Sequence, residues 1–142
     1  ERYTATSLPI TGDGYFLSGD LAFEDPNKKI HLCGRKDDMF TVGGFNVYPA
    51  EIEKIIMKYP HIDKVVVLPI PHSTMGNVCR AYIVPSSGYE IDVKQLIDFV
   101  SNNLIYYKVP RDIRISRSLP TSSLGKINRT YLLKELKAEY YK

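Results

Sequence analysis

Three short stretches of this sequence carry residues that could act on a ligand. "PTSSLGKINR", residues 120–129, places Lys126 beside a glycine among small residues, where an ammonium could be presented to an anionic group. "LSGDLA" places Asp20 after a Ser-Gly bend, where its carboxylate could accept two hydrogen bonds from a ribose diol. The third stretch offers Arg35 as a planar multiple donor, and its Gly43-Gly44 pair lets backbone approach a ligand.

Each stretch also has a purely structural interpretation. An aspartate such as Asp20 favours a turn whatever its function. Residues 34–53, "GRKDDMFTVGGFNVYPAEIE", can be a charged linker followed by a hairpin. An exposed lysine such as Lys126 is usually a solvated charge. Taken singly, none of the three stretches decides between the two interpretations.

Other signatures of catalysis are missing from the sequence. There is no Gly-rich phosphate loop and no nucleophile elbow, and the three histidines show no metal-ligand spacing (His31, His61 and His72). Cys79 with His72 could suggest a thiol nucleophile, but an apolar strand around Cys79 would raise the thiol pKa and make it inert. Cys33 and Cys79 both lie in apolar strand-like stretches, which predicts buried thiols in a reducing, cytoplasmic compartment. No metal site is predicted.

Composition and charge narrow the class of protein. The chain has 142 residues, of which 44% are hydrophobic and 25% charged, as expected for one compact globular domain. Its net charge of +3 is spread among nearly as many acids as bases, so nucleic acid is not an expected partner. No apolar run approaches the roughly 20 residues of a membrane-spanning helix. Because the chain opens on Glu1 with no targeting pattern, we expect a piece of a longer protein.

The first part of the chain is predicted to form two small β-structures. Residues 14–34 contain short strands around the turn "EDPNKK", in which Asp, Pro and Asn favour chain reversal. Residues 39–47, "MFTVGGFNV", predict a second hairpin whose Gly43-Gly44 pair takes positive φ. A linker fits between them at residues 35–38.

The rest of the chain alternates predicted helices and strands. A first helix is expected from Pro49 to about Pro60, and the continuous apolar run "DKVVVLPI" predicts a strand covered on both faces. "VCRAYIV" is its expected neighbour at the centre of the sheet. Asp92 is the expected N-cap of a second helix, "RDIRIS" alternates like an edge strand, and a last helix begins near Asn128. The predicted fold class is α+β, a small mixed sheet with helices packed on it, preceded by a short β-ribbon.

The order and spacing of these motifs resemble those of the adenylate-forming enzymes, a family of acyl-CoA synthetases, adenylation domains of peptide synthetases, and luciferases. The family's "TGD" element appears as "SGD" at 18–20, its "GRxDD…GG/RG…PxEIE" element at 34–53, and its "lP.t.sGKi.R" element at 119–129. The stretch "VVVLPIPHSTMGNVCRAYIVP" is similar to the family's "aaVvg.pd…Ge…Ayvv". The resemblance covers roughly residues 10–136 and is greatest to acyl-CoA synthetases.

The resemblance implies a division of the chain into two parts. Residues 1–36 would be the tail of a large N-terminal adenylation domain, of which the chain carries only this fragment. Residues 37–142 would be the mobile C-terminal domain, which rotates about a hinge at Asp37. A hinge needs backbone that can absorb a large change in φ and ψ.

The resemblance also implies a role for each candidate residue. Lys126 would be catalytic, as the ammonium that faces the reacting carboxylate and phosphate. Asp20 and Arg35 would bind the nucleotide at its ribose. Gly43 and Gly44 would line the tunnel of the thiol-bearing pantetheine arm after the domain has rotated.

The implied reaction has two steps. In this family a carboxylate attacks the α-phosphate of ATP to give an acyl-adenylate and pyrophosphate, and a thiol then takes the acyl group. The chain would thus be the C-terminal part of an AMP-forming acid–thiol ligase that uses a small carboxylic acid, ATP with Mg²⁺ and CoA. ATP and Mg²⁺ would be bound mainly by the large domain, so the isolated chain should be inactive.

Two alternatives stay open at the level of sequence. The thiol acceptor could belong to an acyl carrier protein instead of CoA, in which case the chain is part of a carrier-loading adenylation domain. The chain could also be a non-catalytic module that keeps the fold and binds a partner, since fold alone does not fix function. The identity of the acid is not readable, because the family's acyl pocket belongs to the large domain.

Overall fold

The computed structural model of the protein describes residues 10–140, in which two small β-hairpins precede a three-stranded sheet with helices on both faces. The strands are β1 (Asp20–Glu24), β2 (Ile30–Arg35), β3 (Phe40–Val42), β4 (Phe45–Val47), β5 (Ile62–His72), β6 (Gly76–Pro85) and β7 (Asp112–Ile115). The helices are α1 (Pro49–Ile56), α2 (Val93–Ser101) and α3 (Arg129–Tyr140), with 3₁₀ turns at Lys36–Asp38 and Tyr106–Lys108. The predicted α+β fold class, with a leading β-ribbon, is confirmed.

The β-ribbon is the antiparallel pair β1 and β2. Its turn is closed by Asp25, whose side chain accepts hydrogen bonds from the backbone N–H of Asn27 at 2.8 Å and of Lys29 at 3.0 Å. Such Asx contacts explain why the "EDPNKK" stretch reverses the chain. The segment predicted as a linker is more ordered than expected, because Arg35 ends β2 and Lys36–Asp38 forms a 3₁₀ turn.

Strands β3 and β4 form the second predicted hairpin. They are joined by Gly43 and Gly44 at φ +56° and +87°. Two consecutive positive φ values define the tight turn whose twist matches that of the flanking strands, and glycine adopts them without strain.

The main sheet has the order β5, β6, β7, with β5 antiparallel and β7 parallel to the central strand β6. The expectation that β5 shares the centre is wrong, because β5 is an edge strand among the described residues. Both of its faces are nevertheless covered, as predicted. Val65 and Val67 belong to one buried cluster, and Val66 and Leu68 belong to another on the opposite face.

The helices supply the two layers that cover the sheet. Ile52 and Ile56 of α1 join Leu96 and Val100 of α2 in the first cluster, whereas Leu132 and Leu136 of α3 join the second. Helix α1 ends at Ile56 and a turn follows, so it is shorter than predicted.

Helix α2 begins where the sequence predicts. Asp92 is its N-cap, and the side chain accepts hydrogen bonds from the backbone N–H of Lys94 at 2.9 Å and Gln95 at 3.2 Å. Such a cap satisfies donors that the first helical turn leaves free. No helix among residues 10–140 is long and apolar enough to cross a membrane.

The two cysteines differ in their surroundings. Cys79 is fully buried on β6, as expected, and this burial raises the pKa of its thiol to about 12. The thiol therefore stays protonated and is a poor nucleophile, which removes the Cys79–His72 interpretation. Cys33 is only half-buried, because it lies on the thin β-ribbon, so the prediction of a buried thiol is wrong there. Both cysteines are free thiols.

Candidate functional site

Lys126 lies on a small closed hairpin just before α3. An antiparallel bridge joins Thr121 to Ile127, and the backbone N–H of Ser122 donates to the carbonyl of Lys126 at 2.7 Å. The N–H of Gly125 donates to the carbonyl of Ser122 at 2.9 Å, which closes the turn. The lysine side chain is exposed. This stretch is therefore a braced turn that presents the lysine to solvent.

The base of this hairpin is fixed to the start of α3. Asn128 accepts a hydrogen bond from the N–H of Tyr131 at 3.0 Å through its side-chain oxygen, in the manner of an N-cap. Its own backbone N–H donates to the carbonyl of Pro120 at 2.8 Å. Both strands of the hairpin are thereby held at the same helix terminus, so the orientation of Lys126 follows that of α3.

The structure brings Asp20 and Arg35 together. They are register partners in the β-ribbon, with Arg35 Nη1 3.8 Å from Asp20 Oδ1. Both side chains are about half exposed, at 45% for Asp20 and 53% for Arg35. The carboxylate keeps room to accept hydrogen bonds from a ligand.

Asp37 lies in the middle of the 3₁₀ turn between the ribbon and β3, and it is exposed. The turn is tied to both sides. The N–H of Lys36 donates to the carbonyl of Gly19 at 2.8 Å, whereas Asp38 forms an ion pair with Arg129 at 3.6 Å. Asp37 therefore separates a residue bound to the ribbon from a residue bound to α3.

Gly43 and Gly44 differ in what surrounds them. The N–H of Gly43 donates to the carbonyl of Met75 at 2.9 Å, and a Cβ on Gly43 would lie 2.6 Å from Met75 Cε. A Cβ on Gly44 would meet nothing within 4 Å. Gly43 is packed against the rest of the domain, and Gly44 faces open space.

These sequence-predicted residues do not form one cluster. Among residues 10–140, no hydrogen bond or ion pair joins the Lys126 side chain to Asp20, Arg35 or the Gly43-Gly44 turn. The same part of the chain holds no group of three or more His, Cys, Asp and Glu residues that could bind a metal ion.

The sequence does not predict one cluster of interacting groups at the start of α3, formed by Arg129, Glu53 and the backbone of Val67. Arg129, the first residue of α3, donates through Nη1 to the carbonyl of Val67 at 3.1 Å and through Nη2 to Glu53 Oε1. Glu53 Oε1 also accepts from the N–H of Val67 at 2.8 Å. The only sequence signal is that Glu53 and Arg129 end the "PAEIE" and "GKINR" stretches; nothing in the pattern pairs them.

The fold and the sequence together define the class. Residues 51–126 match the family described as the AMP-binding enzyme C-terminal domain. The chain belongs to this family, and the resemblance to adenylate-forming enzymes is confirmed.

Particular relatives agree with that assignment. A feruloyl-CoA synthase from Amycolatopsis sp is 38% identical over 118 residues, which are 83% of this chain and 24% of that protein. ATP-bound MatB from Rhodopseudomonas palustris is 32% identical with a TM-score of 0.78, and the match covers 94% of this chain and 26% of that one. The anthranilate CoA ligase AuaEII in complex with anthranoyl-AMP is 27% identical with a TM-score of 0.86, and the match covers 96% and 27%. The chain thus spans about a quarter of the length of these relatives.

Proposed function

We propose that this chain is the C-terminal part of an ATP-dependent carboxylate–CoA ligase, in which Lys126 serves the adenylate-forming step. The observation that carries the proposal is the exposed ammonium of Lys126 on a hairpin braced at both strands against α3. The relatives support the chemistry, since one is solved with ATP and another with an acyl-adenylate.

Attack of a carboxylate on the α-phosphate of ATP brings two anions together. A fixed ammonium near both groups lowers the barrier by offsetting the charge that crowds in the transition state. A solvated lysine on a flexible loop would have to be ordered as the transition state forms, whereas the hydrogen-bonded hairpin holds the backbone of Lys126 in place before the reaction. This preorganisation is the contribution that the C-terminal domain makes to the first step.

The other candidate residues take complementary roles in the proposal. Asp20, oriented by Arg35, accepts hydrogen bonds from the ribose hydroxyls of ATP. Asp37 is the hinge between residues 1–36, which belong to the large adenylation domain, and the mobile domain that follows. For the second step, rotation at Asp37 moves Lys126 away from the reaction site and brings the hairpin turn at Gly44 to it.

In that second step the thiol of CoA takes the acyl group from the adenylate. The open space at Gly44 suits the passage of a slender pantetheine arm, which any side chain at this position would obstruct. CoA is proposed as the acceptor because two of the relatives, the feruloyl-CoA synthase and the anthranilate CoA ligase, are named for it. ATP with its Mg²⁺ is assigned to the large domain, and the isolated chain is expected to be inactive.

The test is made in the full-length protein with separate assays of the two half-reactions. Lys126→Ala should lower acid-dependent ATP–pyrophosphate exchange by about 10²- to 10³-fold, the typical loss for one charge-stabilising donor. Thioester formation from supplied acyl-adenylate should stay within a few-fold of wild type. Lys134→Ala removes an exposed lysine from α3 and is the matched control. Equal loss of both half-reactions in Lys126→Ala would contradict the assignment.

A further inference from the structure

We infer that Arg129 is a positioning residue whose ion pair with Asp38 fixes the Lys126 hairpin relative to the segment after the hinge. The inference rests on the proposed function. Arg129 follows Lys126 by three residues and begins α3, and Asp38 follows the proposed hinge by one. One side chain therefore connects the two parts of the domain that must move together.

The first anchor of Arg129 is the free edge of β5. Val67 points its N–H and C=O away from the neighbouring strand, and the side chains of Glu53 and Arg129 satisfy these two groups. An unpaired backbone group would be costly there, because the side chains around it are largely buried. The guanidinium is thereby held against both α1 and the sheet, and so is the start of α3.

The second anchor is the 3₁₀ turn. Arg129 Nε lies 3.6 Å from Asp38 Oδ2, so a single cation faces two carboxylates, those of Glu53 and Asp38. The side chains are 24% exposed for Arg129 and 32% for Asp38. Partial burial limits solvent screening of this pair. Arginine suits the position because the rigid planar fork directs Nη1, Nη2 and Nε at three separate acceptors, whereas an ammonium concentrates its donors on one compact nitrogen.

The two anchors together define where the mobile unit begins. Asp38 moves with α3, since Arg129 ties it there, whereas Lys36 is tied to the ribbon through Gly19. The change in φ and ψ is then confined to residues around Asp37, and rotation carries Lys126 as part of one rigid unit. If the ion pair of Asp38 with Arg129 is lost, the backbone can rotate at more positions of the turn, and the ammonium of Lys126 is placed less accurately. Small misplacements of a reacting group can cost up to about 10²-fold in rate.

The experiment uses Asp38→Asn in the full-length protein, because this change removes the charge and keeps the size of the side chain. We expect kcat for adenylate formation to fall about 10-fold, within the range for a misplaced group, with KM for ATP nearly unchanged. Thioester formation from supplied adenylate and the melting temperature should match those of Asp63→Asn, a control that removes an exposed carboxylate from β5. Asp38→Glu should restore most of the lost rate.

A double-mutant cycle separates positioning from a general structural role. When Lys126→Ala is already present, Asp38→Asn should cause no further loss in adenylate formation, because no ammonium remains to be positioned. Additive losses, or equal falls in both half-reactions and in melting temperature, would overturn the inference. If Lys126→Ala alone leaves adenylate formation intact, the proposed function fails instead. If it abolishes that step while Asp38→Asn behaves like Asp63→Asn, only the inference about Arg129 fails.

Discussion

Asp20 and Arg35 face each other across the β-ribbon, with 3.8 Å between Arg35 Nη1 and Asp20 Oδ1. An exposed pair at this distance contributes little to stability, typically under about 1 kcal/mol. Its exposure and its fixed register instead leave a carboxylate oriented by a guanidinium and open to a ligand. This arrangement matches the proposed contact with the ribose of ATP.

Asp20→Asn should weaken ATP binding in the full-length protein. Hydrogen bonds to a charged acceptor contribute about 1.5–3 kcal/mol, so KM for ATP should rise roughly 10-fold or more while kcat changes less. The measurement is the ATP dependence of acid-dependent pyrophosphate exchange. Glu24→Gln, on the same strand, is the matched control, and an equal KM in the two variants would show that Asp20 does not contact the nucleotide.

A side chain at Gly44 should block the second half-reaction. Gly44→Leu would place its side chain in the open space that the proposal gives to the pantetheine arm. Thioester formation should fall by about 10-fold or more because the side chain obstructs the arm, in addition to any effect of the roughly 1–2 kcal/mol of backbone strain that a positive φ imposes on leucine. Adenylate formation should stay within a few-fold of wild type.

The control for Gly44→Leu is Gly88→Leu. Gly88 has a φ of +83°, close to the +87° of Gly44, and its Cβ would also meet nothing within 4 Å. The two variants therefore carry the same backbone strain in different places. Similar thioester-forming rates in both would mean that strain, not obstruction, explains the effect.

Asp37→Pro tests the hinge. Proline fixes φ and pushes the preceding residue, Lys36, away from helical geometry, so the backbone can no longer sample both proposed orientations. One half-reaction should fall by about 10²-fold or more, and the other should stay near wild type. Rates are measured for each half-reaction in the full-length protein, with Ser87→Pro, in the exposed turn that follows β6, as a comparison variant. Normal rates in both half-reactions would place the hinge elsewhere.

The sequence predicts the elements of this fold better than their pairing. The apolar run of β5 indicates burial on both faces, and this is correct because Val66 and Val67 enter opposite clusters. Its position at the edge is not visible in periodicity, which reports faces and not neighbours. Pro69 and Pro71 were the available signal, since proline lacks the N–H that a central strand needs.

The candidate site was predictable only one motif at a time. Asp20 and Arg35 lie within separate motifs, and their contact depends on the register of the ribbon. The pairing of Glu53 with Arg129 joins residues far apart in the chain, which no local pattern encodes. For Cys33 the local pattern misleads. An apolar strand pattern predicts burial, but it does not reveal that the thin ribbon leaves this residue only half-buried.

Arg80 anchors the end of α3 that is remote from Lys126. Its side chain is 3% exposed and lies between Asp112 at 2.6 Å and Glu139 at 2.9 Å, with the Tyr140 hydroxyl at 2.8 Å from Nη2. Burial by itself would lower the pKa of Arg80, but the contacts with Glu139, Tyr82 and Asp112 outweigh it and raise the pKa overall. The guanidinium thus stays charged and ties α3 to β6 and β7.

Arg80→Met should destabilise the chain without touching the proposed chemistry directly. Removing one partner of a buried ion pair costs about 3–5 kcal/mol; we expect roughly 2–3 kcal/mol here, because Glu139 is half-exposed and Asp112 keeps Arg114. Urea unfolding of the chain measures the free energy of unfolding, and Arg111→Met, which removes an exposed arginine, is the control. The urea concentration at the unfolding midpoint should be clearly lower for Arg80→Met than for Arg111→Met.

The difference between wild type and Arg80→Met should also depend on pH. The hydrogen bond from Arg80 holds the pKa of Glu139 below its ordinary value of 4.5. A carboxyl group with a depressed folded-state pKa stabilises the fold above its unfolded pKa, and this contribution disappears as pH falls through the folded value. The stability difference should therefore be full at neutral pH and shrink in acid below about pH 4.5. A difference that stayed constant on acidification would mean that Arg80 acts through packing around Tyr82 and Tyr140 and not through its carboxylate partners.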